Sequence, residues 1–106
     1  MKLLKALFLL PILALFPLSL LAQSDTSYVE TKVNLQTPTG TIYGTLTTPL
    51  APQKLPVALI IAGSGPTDRD GNNVKMKNNS LKILSMELAK RGIASLRYDK
   101  RGIAES

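Results

Sequence analysis

Three short stretches carry the residue types that could take part in chemistry. Ala62, Gly63, Ser64, Gly65 and Pro66 set a hydroxyl between two glycines; Asp68, Arg69, Asp70, Gly71 and Asn72 crowd two carboxylates around a guanidinium; Asp99, Lys100, Arg101 and Gly102 place one carboxylate beside two cations. Ser64 has three readings: an attacking nucleophile, a plain turn residue, or the donor of a backbone N–H to an oxyanion. The spacing argues against the first. GSG is not the GxSxG of a nucleophile elbow, and the chain contains no histidine to take a hydroxyl proton. The stretch also partly mimics the dinucleotide fingerprint GxGxxG, but Asp68 stands at the third glycine and a polar loop follows it.

The second stretch invites a calcium reading, because closely spaced carboxylates and Asn72 are hard oxygen ligands. Its glycine is misplaced for an EF-hand loop, and no glutamate follows at the closing position. The expectation is no metal, and a charged Asx-type turn with Arg69 held between the two aspartates.

The elements that must position these stretches follow from periodicity. From Val29 to Gln36, Val29, Thr31, Val33 and Leu35 alternate with polar residues, as in a half-buried strand. Thr37 to Gly40 supply a turn, and Thr41 to Thr47 alternate again, with Ile42, Gly44 and Leu46 on one side and Tyr43 and Thr45 on the other; together they predict a hairpin. Pro49, Pro52 and Pro56 forbid regular pairing in the connection that follows. Val57 to Ile61 is apolar throughout, the pattern of a strand covered on both faces in a parallel sheet. Thr67 to Asn79 reads as a surface loop. The spacing predicts a helix over 80–91, capped by Asn79 or Ser80, burying Leu81, Leu84 and Leu88 and stopped by Gly92. Ile93 to Tyr98 returns as an apolar strand, giving a parallel pair and a right-handed βαβ unit.

Composition narrows the class. Lys2 and Lys5 precede an apolar run from Leu7 to Leu21 that closes at Ala22, the pattern of a secretory signal peptide over residues 1–22. The run is shorter than the roughly 20 residues that span a bilayer, and Pro11 and Pro17 interrupt it, so no stable membrane span is expected after cleavage. Removal of the two lysines lowers the formal charge from +6 to +4. The remaining basic residues form no run that would track a phosphate backbone, which argues against nucleic acid as a partner. Cysteine is absent, so neither a disulfide nor a thiolate metal site is available. Residues 23–106 would leave one face of the parallel strands bare, and the expectation is a domain that continues beyond Ser106.

The string VALIIAGSGPTDRDGNN from Val57 to Asn73, followed by a helix and by IASLRYDKRG from Ile93 to Gly102, resembles the opening of the α/β-hydrolase superfamily. More narrowly, it resembles exported bacterial serine aminopeptidase-like or acyl hydrolases. The resemblance implies an α/β fold in which an antiparallel hairpin leads into a parallel sheet with helices on both faces, here truncated. It further implies that AGSG corresponds to the HGxG loop, with Ala62 in place of histidine and Gly63, Ser64 and Gly65 forming the oxyanion loop through the Ser64 backbone N–H. Asp99 and Arg101 would correspond to the DxRG turn that braces loops around the active site, with Ala104 where another glycine is common. The implied activity is hydrolysis of a small-molecule or peptide ester or amide through an acyl-enzyme, without a cofactor. The triad of serine, acid and histidine would lie downstream, leaving this portion inactive by itself. A different class stays open: an exported β-rich binding or structural module without catalysis. Asn78, Asn79 and Ser80 also spell a glycosylation sequon, expected to serve as a helix start.

Overall fold

The computed structural model describes residues 27–50 and 53–106; the signal-peptide expectation falls outside the described residues. Strands β1 (Tyr28–Thr37) and β2 (Gly40–Pro49) form the hairpin, paired from Thr37↔Gly40 to Tyr28↔Pro49. Strand β3 (Val57–Ile60), helix α1 (Ser80–Lys90) and strand β4 (Ala94–Tyr98) form the crossover unit. One mixed sheet results, in the order β1-β2-β4-β3, with β2 antiparallel to β4 and β3 parallel to β4.

This order decides where the loops meet. Because β2 runs against β4, the β1–β2 turn lies at the same end of the sheet as the carboxyl ends of β3 and β4. The 62–71 stretch, the 99–106 stretch and the turn at 37–40 therefore share one rim.

Helix α1 lies over one face of the sheet and differs from the expected stripe. Its buried residues are Ser85 and Ala89, while Ile83 is 52% and Leu84 44% exposed. The cause is Arg97. This side chain of β4 is only 2% exposed and fills the space between sheet and helix, so α1 turns its small residues toward the guanidinium. The strand read as apolar from Ile93 to Tyr98 thus carries a buried cation one residue from its carboxyl end. Arg97 donates to Glu30 on β1 at 2.9 Å, to the Thr47 hydroxyl on β2 at 2.8 Å, to the Ser85 hydroxyl on α1 at 2.9 Å and to Asp70 at 3.1 Å. Every element that surrounds it supplies an acceptor, as a buried guanidinium requires.

The helix begins without a side-chain cap from Asn79 or Ser80 onto its first turn. The carbonyl of Asp70 accepts from the N–H groups of Leu81 and Lys82 instead, fastening the start of α1 to the 68–72 turn. The Asn78 side chain accepts from the Ser80 N–H. At the other end Gly92 donates to the Ala89 carbonyl and Ile93 to that of Leu88, a Schellman stop at the expected glycine.

The opposite face has no cover among the described residues. Val57, Leu59 and Ile61 are 62%, 56% and 64% exposed, so β3 is covered on one face only, through Ile60. Across the sheet, Thr31, Leu46, Leu96 and Leu59 fall in one register row on this bare side. An open apolar groove of about 530 Å³ runs along it, lined by Val33, Leu35, Ile42, Leu46, Leu96 and Tyr98.

Candidate active-site loop

The loop after β3 turns sharply. Gly65 has φ +101°, a backbone setting that a residue with a Cβ adopts only under strain, so the second glycine is required by conformation. Gly63 is different. It has no positive φ, and a Cβ there would meet nothing within 4 Å, so neither backbone conformation nor packing among the described residues requires a glycine at that place. Ser64 between them is exposed, and neither its side chain nor its N–H bonds to another described residue.

Lys100 holds this loop. Its Nζ donates to the carbonyl oxygens of Gly63 and Gly65, each at 2.5 Å. These are charge-assisted bonds, among the stronger ones available to a loop at the surface.

Asp99 holds the next part of the chain. It is 1% exposed; its Oδ1 accepts from the Arg69 backbone N–H at 2.7 Å and its Oδ2 from the Glu105 backbone N–H at 3.2 Å. The Arg69 guanidinium lies 3.4 Å from Asp99 Oδ2, donates to the Thr45 hydroxyl and pairs with Glu105. Arg69 is therefore not clasped by Asp68 and Asp70, as its position between them suggests. The reason is local: Asp68 Oδ1 accepts from the N–H groups of Asp70 and Asn72, closing an Asx-type turn, and Asp70 Oδ1 accepts from Arg97. Both carboxylates are engaged by protein donors, and among the described residues no group of acidic or histidine side chains is arranged to hold a metal. Gly71 completes this turn at φ +91°, where a Cβ would press on the Ser80 hydroxyl and the Leu81 backbone.

Arg101 serves another loop on the same rim. It donates to the hydroxyls of Thr39 and Thr37 at 2.6 and 3.1 Å, bracing the hairpin turn and not the 62–66 loop. Ala104 has φ +47°, so the position where the hydrolase pattern often has glycine keeps a left-handed backbone in this chain. Asn72 organises the end of the long loop, its Oδ1 accepting from the N–H groups of Asn78 and Asn79.

The rim thus carries Gly63, Ser64, Gly65 and Asp99, gives Arg69 partners other than the two aspartates expected, and adds Lys100, to which the motif assigns no role. Lys100 occupies the variable position of the DxRG pattern, which gave no reason to single it out. Its signal was a cation directly beside an acidic residue at the end of a strand.

No protein-family model matches the chain, and no curated protein matches it in sequence. Among solved structures, a cold-adapted esterase from an Arctic intertidal metagenomic library, determined as a PEG-bound complex, superposes with a TM-score of 0.60 at 21% identity. Over the matched residues the chain shares the fold of that part of the esterase. The superposition covers 76% of this chain and 31% of the esterase, so the chain spans about a third of the esterase's length.

Proposed function

We propose that this chain is the opening part of an exported serine hydrolase, residues 1–22 acting as its secretory leader and residues 23–106 supplying the first strands and the oxyanion loop. The observation that carries the reading is the Ser64 amide. It stands between two glycines at the carboxyl end of a strand that is parallel to its neighbour, the end at which open α/β sheets bind ligands, and it has no acceptor among the described residues. An N–H in that situation suits a carbonyl oxygen that gains negative charge under attack, and one such donor is worth about 3 kcal/mol of transition-state stabilisation. The shared fold with an esterase supports the same reading. The nucleophile, the triad acid and the histidine would come from residues that follow Ser106 in the whole protein. The substrate class is a small-molecule or peptide ester or amide, and the mechanism needs no cofactor.

The bare apolar face supports a second reading, a non-catalytic module that binds a partner there. One measurement separates the two. The whole secreted protein is incubated with a fluorophosphonate probe and with nitrophenyl esters of different acyl length. Covalent labelling at a serine downstream of residue 106, together with ester turnover, is the expected result. A protein that is folded and neither labelled nor active would overturn the hydrolase reading in favour of the binding module.

A further inference from the structure

We infer that Lys100 is the residue that aims the Ser64 N–H, acting through the carbonyl oxygen of Gly63. The inference rests on the hydrolase reading of the 62–66 loop and assigns a role within it.

The argument starts from peptide geometry. The Gly63 carbonyl and the Ser64 N–H belong to one peptide unit, and none of the described peptide bonds is cis. In a planar trans peptide the C=O and N–H point in opposite directions. The Lys100 ammonium binds the Gly63 oxygen at 2.5 Å, so the Ser64 N–H is directed away from Lys100. The second bond, to the Gly65 oxygen at 2.5 Å, fixes the other side of the turn. That carbonyl belongs to the peptide joining Gly65 to Pro66, and proline has no N–H. Of the two peptides that Lys100 grips, only one therefore carries a donor, and it is the donor of Ser64.

The grip is needed because the loop has little else. Flanking glycines leave the Gly63–Ser64 peptide free to rotate, neither Ser64 nor the Gly63 and Gly65 N–H groups bond to other described residues, and a Cβ at Gly63 or Gly65 would touch nothing. An unfastened peptide would spend much of its time with its carbonyl where the N–H should be, which would repel an oxyanion. The ammonium also polarises the peptide it binds, since a carbonyl drawn into a charge-assisted bond leaves its own N–H a better donor. Asp99, the adjacent residue, anchors the Arg69 N–H at 2.7 Å. The pair therefore holds the two ends of the stretch from Gly63 to Arg69 against the exit of β4.

The test is made on the whole protein, comparing wild type with Lys100→Met and Lys100→Arg. The measurements are kcat and KM on a nitrophenyl ester, and inhibition by an alkyl boronic acid, whose serine adduct places an oxygen where the oxyanion forms. In Lys100→Met, kcat is expected to fall about tenfold or more. KM stays within threefold, and boronate affinity falls by the same factor as kcat. Lys100→Arg, which keeps a cation able to reach two carbonyls, recovers most of the loss. The Lys100 bonds are exposed and confined to one loop, so Lys100→Met should remain folded with at most a small fall in melting temperature; if that variant aggregates, Lys100→Gln takes its place. An active wild type with Lys100→Met within twofold in kcat, or with its loss confined to KM, overturns the inference and leaves the hydrolase reading standing. A folded wild type that turns over no ester or amide overturns the hydrolase reading itself, and the role of Lys100 with it.

Discussion

Arg97 Nε donates to Asp70 Oδ1 at 3.1 Å across 27 residues of sequence, joining the carboxyl end of β4 to the loop that follows β3. Asp70 in turn accepts, through its backbone carbonyl, from the first N–H groups of α1. One ionic contact thus fixes the loop and the helix start together, with Glu30, Thr47 and Ser85 taking three of the other four N–H donors of the guanidinium.

Removing that cation should cost more than any surface change. Arg97→Met strands Glu30 and Asp70 beside a newly apolar centre. Their side chains are 33% and 34% exposed, which places the loss at the low end for a broken buried pair, about 3 kcal/mol. Arg97→Lys keeps the charge but cannot present a planar fork to four acceptors, and should recover only part of it. Urea denaturation midpoints of the whole protein measure both.

On the proposed hydrolase reading Ser64 acts through its backbone, which makes its hydroxyl dispensable. Ser64→Ala should hold ester turnover within about threefold, because no proton is taken from that oxygen and its N–H is unchanged. Gly65→Ala should do the reverse. At φ +101° the added Cβ costs about 1–3 kcal/mol of strain and shifts the neighbouring peptide, so kcat should drop by about tenfold or more. Parallel kinetics on the two variants check this; a larger loss from Ser64→Ala than from Gly65→Ala would return Ser64 to the role of nucleophile.

Ser95 should be improvable. Its Oγ is fully buried and has no hydrogen-bond partner among the described residues. Ser95→Ala removes an unsatisfied hydroxyl at almost no change in volume and is expected to raise stability by about 1 kcal/mol, read as a rise in the denaturation midpoint.

The uncovered sheet face predicts how this stretch behaves when produced alone. With Leu35 and Leu59 at 64% and 56% exposure beside the groove, residues 23–106 should bind anilinonaphthalene sulfonate and associate as concentration rises. Leu35→Lys combined with Leu59→Lys should weaken both effects, measured by dye fluorescence and sedimentation velocity.

The strands, the hairpin and the parallel pair were legible in the residues, because alternation from Val29 onward and the continuous apolar run at Val57 are direct consequences of which faces meet water, whereas the antiparallel pairing of β2 with β4 was not. The bare side of β3 followed from the same counting of elements. The helix stripe was not legible. Periodicity reports the apolar residues of a helix, and here α1 packs through Ser85 and Ala89 around a guanidinium that no local pattern announces. The partners of Arg69 were hidden for a related reason: Asp68 and Asp70 are its neighbours in sequence, yet one is spent on the backbone of its own turn and the other on Arg97. The partners of Lys100 were not legible because a strand end shows which residues leave the sheet, and not which carbonyls they will find.

The hairpin register carries a safeguard of its own. A slip of one residue between β1 and β2 would turn every side chain of the slipped strand to the other face. If β1 were the strand displaced, Glu30 would leave Arg97 and the Thr37 hydroxyl would leave Arg101 in the same movement. Two arginines at different levels of the sheet therefore read the alignment of its outermost strand, and a misaligned chain forfeits an ion pair at one and a hydroxyl contact at the other before any hydrophobic mismatch is counted.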